Sequence, residues 1–169
     1  MDDWSSARLE AMKPITAQPA AWIGGAPVKI VEKIDIDASP EAVWEVIIDH
    51  EQWPSWFDAL ESITKTNDIE GVGGTRQVSM KGITVDEEFL EWEAGRRFGF
   101  TVTAMNQRVL ESLNERVEIE PLDGDRCQVT YTQGFAPVWW ANPLLMVAKG
   151  QVAKSLREGL AGLKARVEG

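Results

Sequence analysis

Residues 28–36, VKIVEKIDI, alternate apolar and polar positions, with Val28, Ile30, Ile34 and Ile36 on one side. That period of two predicts a half-buried strand. At residue 39 the period lengthens. Ser39 is a good N-cap, Pro40 takes the first helical position where its missing N–H costs nothing, and Glu41 suits the positive end of the helix. Val43, Ile47 and the pair Trp44/Ile48 then give a short helix one apolar face. HEQWPSWFDAL predicts a break and a second short helix, because Trp53 precedes a proline and is pushed out of the helical region.

Strand-like segments follow near 60–66, 75–81, 83–93, 97–105, 108–120 and 126–135. GVGGT and LDGDR read as turns, and MKGIT and EAGRR as tight hairpin links. Consecutive strands on short links imply an antiparallel meander. From Asn142, expected as a cap before Pro143, the stripe Leu145, Ala148, Val152, Leu156, Leu160, Leu163 and Val167 predicts a long helix. It would run about 36 Å. Gly150, Gly159 and Gly162 weaken it by about 1 kcal/mol each relative to alanine, so they mark close packing or room left for something else. The fold class is α+β: a curved antiparallel sheet of about seven strands wrapped on a long C-terminal helix, with two short helices after the first strand. A sheet that curls without closing leaves a space beneath that helix. Residues 1–27 read as an extension, with a short helix at SSARLEAMK and a proline- and glycine-broken stretch after it. Trp4 and Trp22 need cover, so this arm either lies on the domain, residues 28–169, or is partly disordered.

Composition narrows the function. The 169 residues make one domain, and 44% apolar with 26% charged residues is ordinary for a globular protein. A net charge of −10 without any long basic run argues against nucleic acid. The single cysteine, Cys127, excludes an internal disulfide, and one His beside one Cys excludes a multi-histidine or cysteine-cluster metal site. No secretory signal or apolar span is legible, so a cytoplasmic protein without stable membrane insertion is expected. No cofactor-binding motif is present: GVGGTR lacks the third glycine of a dinucleotide loop and precedes a strand. His50, beside Asp49, is expected at a solvent-facing helix end.

Strand parity names the side chains facing the interior. It places Arg76 with Val78 and Met80, and Glu88 with Leu90 and Trp92. It places Phe98 and Phe100 with Val102 and Ala104, and brings Glu111 and Glu115 in with Val109, Leu113 and Val117. Tyr131 and Phe135 align with Cys127, Val129 and Gln133. An arginine with carboxylates in an apolar pocket can orient a ligand, polarise a carbonyl or move protons. Arg76 is the candidate catalytic residue.

The stretches ASPEAVWEVIIDHEQWPSWF, GVGGTRQV, EEFLEWEAGRRFGF and YTQGFAP resemble the START-like helix-grip superfamily (SRPBCC), in its polyketide cyclase/dehydrase and lipid-transport branch, over about residues 28–167. WPSWF and YTQGF look like the corresponding stretches of bacterial aromatase/cyclases. The resemblance implies a cavity between sheet and C-terminal helix that binds a hydrophobic, lipid- or polyketide-like small molecule. Trp44 is then expected in the core, Trp53, Trp56 and Phe57 at the cavity, and the Trp139/Trp140 pair at its opposite lip, with at least one of these adjacent residues pointing outward as a gate or partner surface. Cyclising members carry an inward Arg and a small hydroxyl residue on one strand. Here Arg76 and Ser79 point to opposite faces, and Leu60 stands where a Tyr is common. Two alternatives accompany ligand binding: an aromatase/cyclase or dehydratase using Arg76, and a non-catalytic interaction module using the Trp139/Trp140 pair.

Overall fold

The structure is a computed structural model that describes residues 12–169. Its strands are β1 (Lys13–Pro14), β2 (Val28–Ile36), β3 (Leu60–Lys65), β4 (Thr75–Met80), β5 (Ile83–Glu93), β6 (Arg97–Met105), β7 (Leu110–Leu122) and β8 (Arg126–Pro137). Two helices, α1 (Pro40–Ile48) and α2 (Asn142–Glu168), and two 3-10 turns, Ala20–Gly25 and His50–Ser55, complete the elements of the described residues. The antiparallel sheet runs β2-β8-β7-β6-β5-β4-β3, so the first long strand closes onto the last. This is the expected helix-grip α+β fold.

Local chemistry sets the boundaries. The Ser39 side chain accepts a hydrogen bond from the Ala42 N–H at 3.2 Å, and Pro40 opens α1. The hairpin links at Gly82 and Gly95 take φ of 77° and 71°, a region that favours glycine. Helix α2 departs from expectation at its start: Asn142 is already helical and Ala141 precedes it without a side-chain cap. The turn at 138–141 runs straight into the helix, with Ala141 N–H donating to Val138 O and Leu145 N–H to Ala141 O.

Among the described residues the sheet has four bulges, one of them in β3 between Leu60 and Ser62, and the other three decide which side chains of β5–β7 face inward, since each extra residue reverses the alternation beyond it. One lies in β6 opposite Asp86–Glu87, one in β5 between Phe89 and Glu91, and one in β7 between Leu110 and Ser112. The core therefore holds Val85, Glu87 and Phe89 from β5, then Trp92 beyond the bulge.

Residues 13–16 enter the sheet between β6 and β7, with Ile15 in the core, and residues 18–26 then lie on its convex side. β1 pairs with Met105 and Ala104 of β6, where the β6–β7 pairing has stopped. Farther along, Ser112 Oγ donates to Thr16 O at 2.9 Å, Asn114 Nδ2 to Pro19 O at 3.0 Å and Arg116 Nη2 to Ala20 O at 3.1 Å. Thr101, Ser112 and Asn114 are buried polar residues on that face because the arm's backbone covers them. Ile23 and Ala26 close over Gly134, where an added Cβ would sit 2.9 Å from each. Trp22 is half-buried. Trp4 and nearly all of the helix expected at SSARLEAMK fall outside the described residues; Lys13 itself is in β1.

Helix α2 crosses the concave face but packs unevenly. Leu156, Gly159, Leu160 and Leu163 are buried, whereas nothing from Asn142 to Ser155 is. Its two closest approaches are made by glycines. A Cβ at Gly159 would stand 2.6 Å from the Phe57 ring, and one at Gly162 would stand 1.8 Å from the Trp56 carbonyl oxygen. At Gly150 nothing lies within 4 Å. Gly150→Ala should therefore stabilise the protein by about 0.4–1 kcal/mol through helix propensity and the unfolded chain. Gly162→Ala should destabilise it by about 1–3 kcal/mol, because backbone must move to admit the methyl group. Urea unfolding of the two variants checks this opposite pair of signs.

Candidate functional site

The interior between sheet and α2 is lined by aromatic rings around one buried cation. Arg76, on β4, is 1% exposed, and its guanidinium carbon lies 4.5 Å from the Trp53 ring centre, 4.8 Å from Phe100, 5.3 Å from Phe89 and 5.6 Å from Phe98. The faces of these rings favour a cation. Arg76 Nε donates to Glu87 Oε2 at 2.6 Å, and Glu87 is itself buried. Arg76 Nη1 is buried and has no hydrogen-bond partner. An arginine carries five N–H donors, and a charge in a dry interior is costly unless they are used.

A second polar group stands on the neighbouring strands. The Tyr131 hydroxyl donates to Glu115 Oε2, and Gln133 Nε2 donates to Glu115 Oε1 at 2.7 Å. Burial pushes the Glu115 carboxyl up, partly offset by those two bonds. Burial, and then the Glu115 charge, push the Tyr131 phenol well above its ordinary value. Glu87 is raised to about 7, chiefly by burial and against the pull of Arg76.

The turn 50–57 fills the remaining space. Trp53 is anchored, its indole N–H donating to Ile47 O at 2.9 Å. Trp56 and Phe57 stack at 5.8 Å, Trp56 on Gly162 and Phe57 on Gly159 of α2. The Trp56 indole N–H has no partner. The void left among Trp53, Trp56, Phe57, Tyr131, Gly159 and Leu163 is about 10 Å³, room for one water at most.

Of the residues expected at the site, Trp53, Trp56, Phe57, Arg76, Trp92, Phe98, Phe100, Glu115, Tyr131 and Phe135 lie in or against this interior. Glu88 and Glu111 do not. The bulge after Phe89 reverses the parity of β5, so Glu87 points inward and Glu88 outward. The bulge at Leu110–Ser112 turns Glu111 to the surface, where it faces Arg108 at 3.7 Å. A warning was present in β5: Phe89 and Trp92, two large aromatics of opposite parity, cannot share a face of a regular strand. His50 is not solvent-facing. It is 1% exposed, meets the Phe89 ring edge-on at 5.0 Å, and its Nδ1 has no partner. Trp44 packs in the core against Trp92 as expected. Trp139 and Trp140 are 87% and 56% exposed and form no lip of the interior. Ser79 bonds to Thr84 across the outer face, opposite Arg76.

A curved sheet gripping one long helix, with a polar centre inside it, defines a helix-grip protein of the START-like class. A model of the family described as polyketide cyclase / dehydrase and lipid transport matches residues 27–168, and the chain belongs to that family. An uncharacterized protein of Mycobacterium tuberculosis strain H37Rv is 30% identical over 141 residues, covering 82% of this chain and 84% of that protein. The ZhuI aromatase/cyclase of Streptomyces sp. R1128 superposes with a TM-score of 0.73 at 14% identity, over 83% of this chain and 93% of that one. A START superfamily protein of Mycobacterium smegmatis gives a TM-score of 0.65 at 15% identity, over 83% and 97%. At these identities the two structures share the fold.

His50 supplies a pH test of this interior. Burial first, then the charges of Arg76 and Lys65, lower its pKa from 6.5 to about 4. Its contribution to stability is therefore complete above pH 6.5 and is lost as pH falls through about 4. Glu87, raised from 4.5 to about 7, acts in the opposite sense: its contribution is complete below 4.5 and lost as pH rises through 7. Urea unfolding across this range should show His50→Phe gaining on the wild type as pH drops from 6.5 towards 4, with a constant difference above 6.5. A difference that stays constant throughout would mean that His50 titrates normally.

Proposed function

We propose that this protein binds a hydrophobic or aromatic small molecule between the sheet and α2. Trp56 and Phe57 move aside, and Arg76 takes an oxygen of the ligand. The observation that carries the reading is the unpartnered Nη1 of a fully buried arginine among aromatic rings. The fold alone does not need that charge, since well-packed apolar residues of similar size serve a core as well or better. With about 10 Å³ free, the ligand's space must come from displaced side chains. Trp56 and Phe57 suit that role: their backbone is fixed by N–H groups donating to Trp53 O, but their side chains are held by packing alone, whereas the Trp53 indole is tethered to Ile47. Glu87 and the Glu115–Tyr131 pair then orient the polar part of the ligand.

A catalytic reading has one specific observation in its favour. A carboxyl with a pKa of about 7 beside an arginine is suited to proton transfer near neutrality. The family and the ZhuI-like fold support an aromatase/cyclase or dehydratase as that alternative. Glu87→Gln would then abolish turnover of a polyketide-like chain while leaving its binding intact.

Binding is tested with native mass spectrometry of the freshly purified protein and with uptake of the apolar dye 1-N-phenylnaphthylamine. The expected result is a discrete adduct that leaves on denaturation, or saturable dye uptake. Arg76→Met alone strands a buried Glu87, so the informative variant is the double change Arg76→Met, Glu87→Leu. It should keep or gain thermal stability and lose the natural adduct. A double variant that carries the adduct as the wild type does would overturn the role of Arg76. A bare mass together with no dye uptake would overturn binding itself.

A further inference from the structure

The start of α2 and the turn before it form an apolar surface with no partner among the described residues. Trp139 and Val147 are 87% and 84% exposed, and Trp140, Leu144 and Met146 are each more than half exposed. Five large apolar side chains within nine residues are more than the scattered exposure of an ordinary surface. The interior does not use them: before Leu156, α2 meets the core only through the partly buried Leu145, Val152 and Ala153.

The charge around this patch is unlike the rest of the chain. No acidic residue occurs between Asp125 and Glu158, although the chain carries 27 and a net charge of −10. Lys149 and Lys154 follow the apolar residues on α2, whose first turn has no acid to offset the helix dipole. Beside the tryptophans lies a shallow groove of about 590 Å³ lined by Lys13, Asn106, Gln107 and Arg108 together with Trp139 and Trp140. Glu111 also lines it, opposite Arg108 at 3.7 Å. Exposed indoles flanked by cations and amide donors match the layered chemistry of a lipid surface, with acyl chains below and phosphates above. No helix among the described residues is long and apolar enough to cross a membrane, so contact would be peripheral.

We propose that Trp139, Trp140 and the first turns of α2 dock this protein on a bilayer containing anionic phospholipid. The tryptophans and Leu144 enter the interface, and Lys13, Arg108 and Lys149 face the phosphates. The local excess of positive charge selects an anionic surface from which the remainder of an acidic protein is repelled. The inference rests on the surface alone and stands whether or not the interior binds a ligand.

The test is flotation of the full-length protein with vesicles of phosphatidylcholine, and of phosphatidylcholine mixed equally with phosphatidylglycerol. Binding should be about ten-fold tighter to the mixed vesicles, and added salt should weaken it. Trp139→Ser, Trp140→Ser should reduce it by about ten-fold or more. The same variant should keep the wild-type melting temperature and dye uptake. Equal binding to both vesicle types, or binding indifferent to the double substitution, would overturn the proposal. So would absence of vesicle binding accompanied by a concentration-dependent dimer in analytical ultracentrifugation that the double variant abolishes, which would assign the patch to a second copy of the chain.

Discussion

The arrangement depends on how the concave face of a curved sheet is filled. One straight helix cannot fill it, and α2 seals only the end where Leu156, Leu160 and Leu163 are buried. The remaining volume goes to the turn after α1, which delivers Trp53, Trp56 and Phe57. Two glycines of α2 let that turn approach to backbone contact, which no other residue at position 162 would allow without movement. The tryptophan-rich stretch is thus a packing element by construction, with the Trp53 indole tethered and the Trp56 and Phe57 side chains held by van der Waals contact.

Charge inside this packing makes the core unlike an ordinary one. Arg76, Glu87, Glu115 and His50 stand where apolar residues would do, and Arg76 Nη1 and His50 Nδ1 lack partners. Buried ionisable groups cost stability unless fully paired, so their presence separates the needs of folding from those of the site. Their titrations also oppose each other: burial keeps the imidazole neutral on the acid side and keeps the Glu87 carboxyl protonated towards neutrality. The two groups therefore bias stability in opposite senses between about pH 4.5 and 6.5, and the raised Glu115 carboxyl adds to the Glu87 side.

The element order, the α1 cap and the antiparallel meander were legible because hydrophobic period and turn residues report local geometry. Most interior residues followed from parity, Arg76, Phe98, Phe100 and Tyr131 among them. Parity failed where the chain adds one residue. Glu87 rather than Glu88 faces Arg76, and Glu111 is outside: the β5 bulge was signalled only by the opposite parity of Phe89 and Trp92, and regular parity carried Glu111 inward with Leu113 across the β7 bulge. His50 misled for a different reason: it ends a helix, a polar position by local rules, but the turn that follows folds back and buries it against Phe89. The arm escaped resolution because covering the convex face is a tertiary choice, made by Thr101, Ser112 and Asn114 far away in the chain.

The central claim is that Trp56 and Phe57 fill the place a ligand takes. The most direct measurement is fluorine NMR of protein labelled with 5-fluorotryptophan, assigned by single Trp→Phe variants and titrated with 1-N-phenylnaphthylamine. The Trp56 resonance should move strongly on binding, Trp44 should stay nearly fixed, and Trp53 should shift little because Ile47 holds it. Saturable binding that leaves Trp56 unmoved would contradict the account and place the ligand elsewhere.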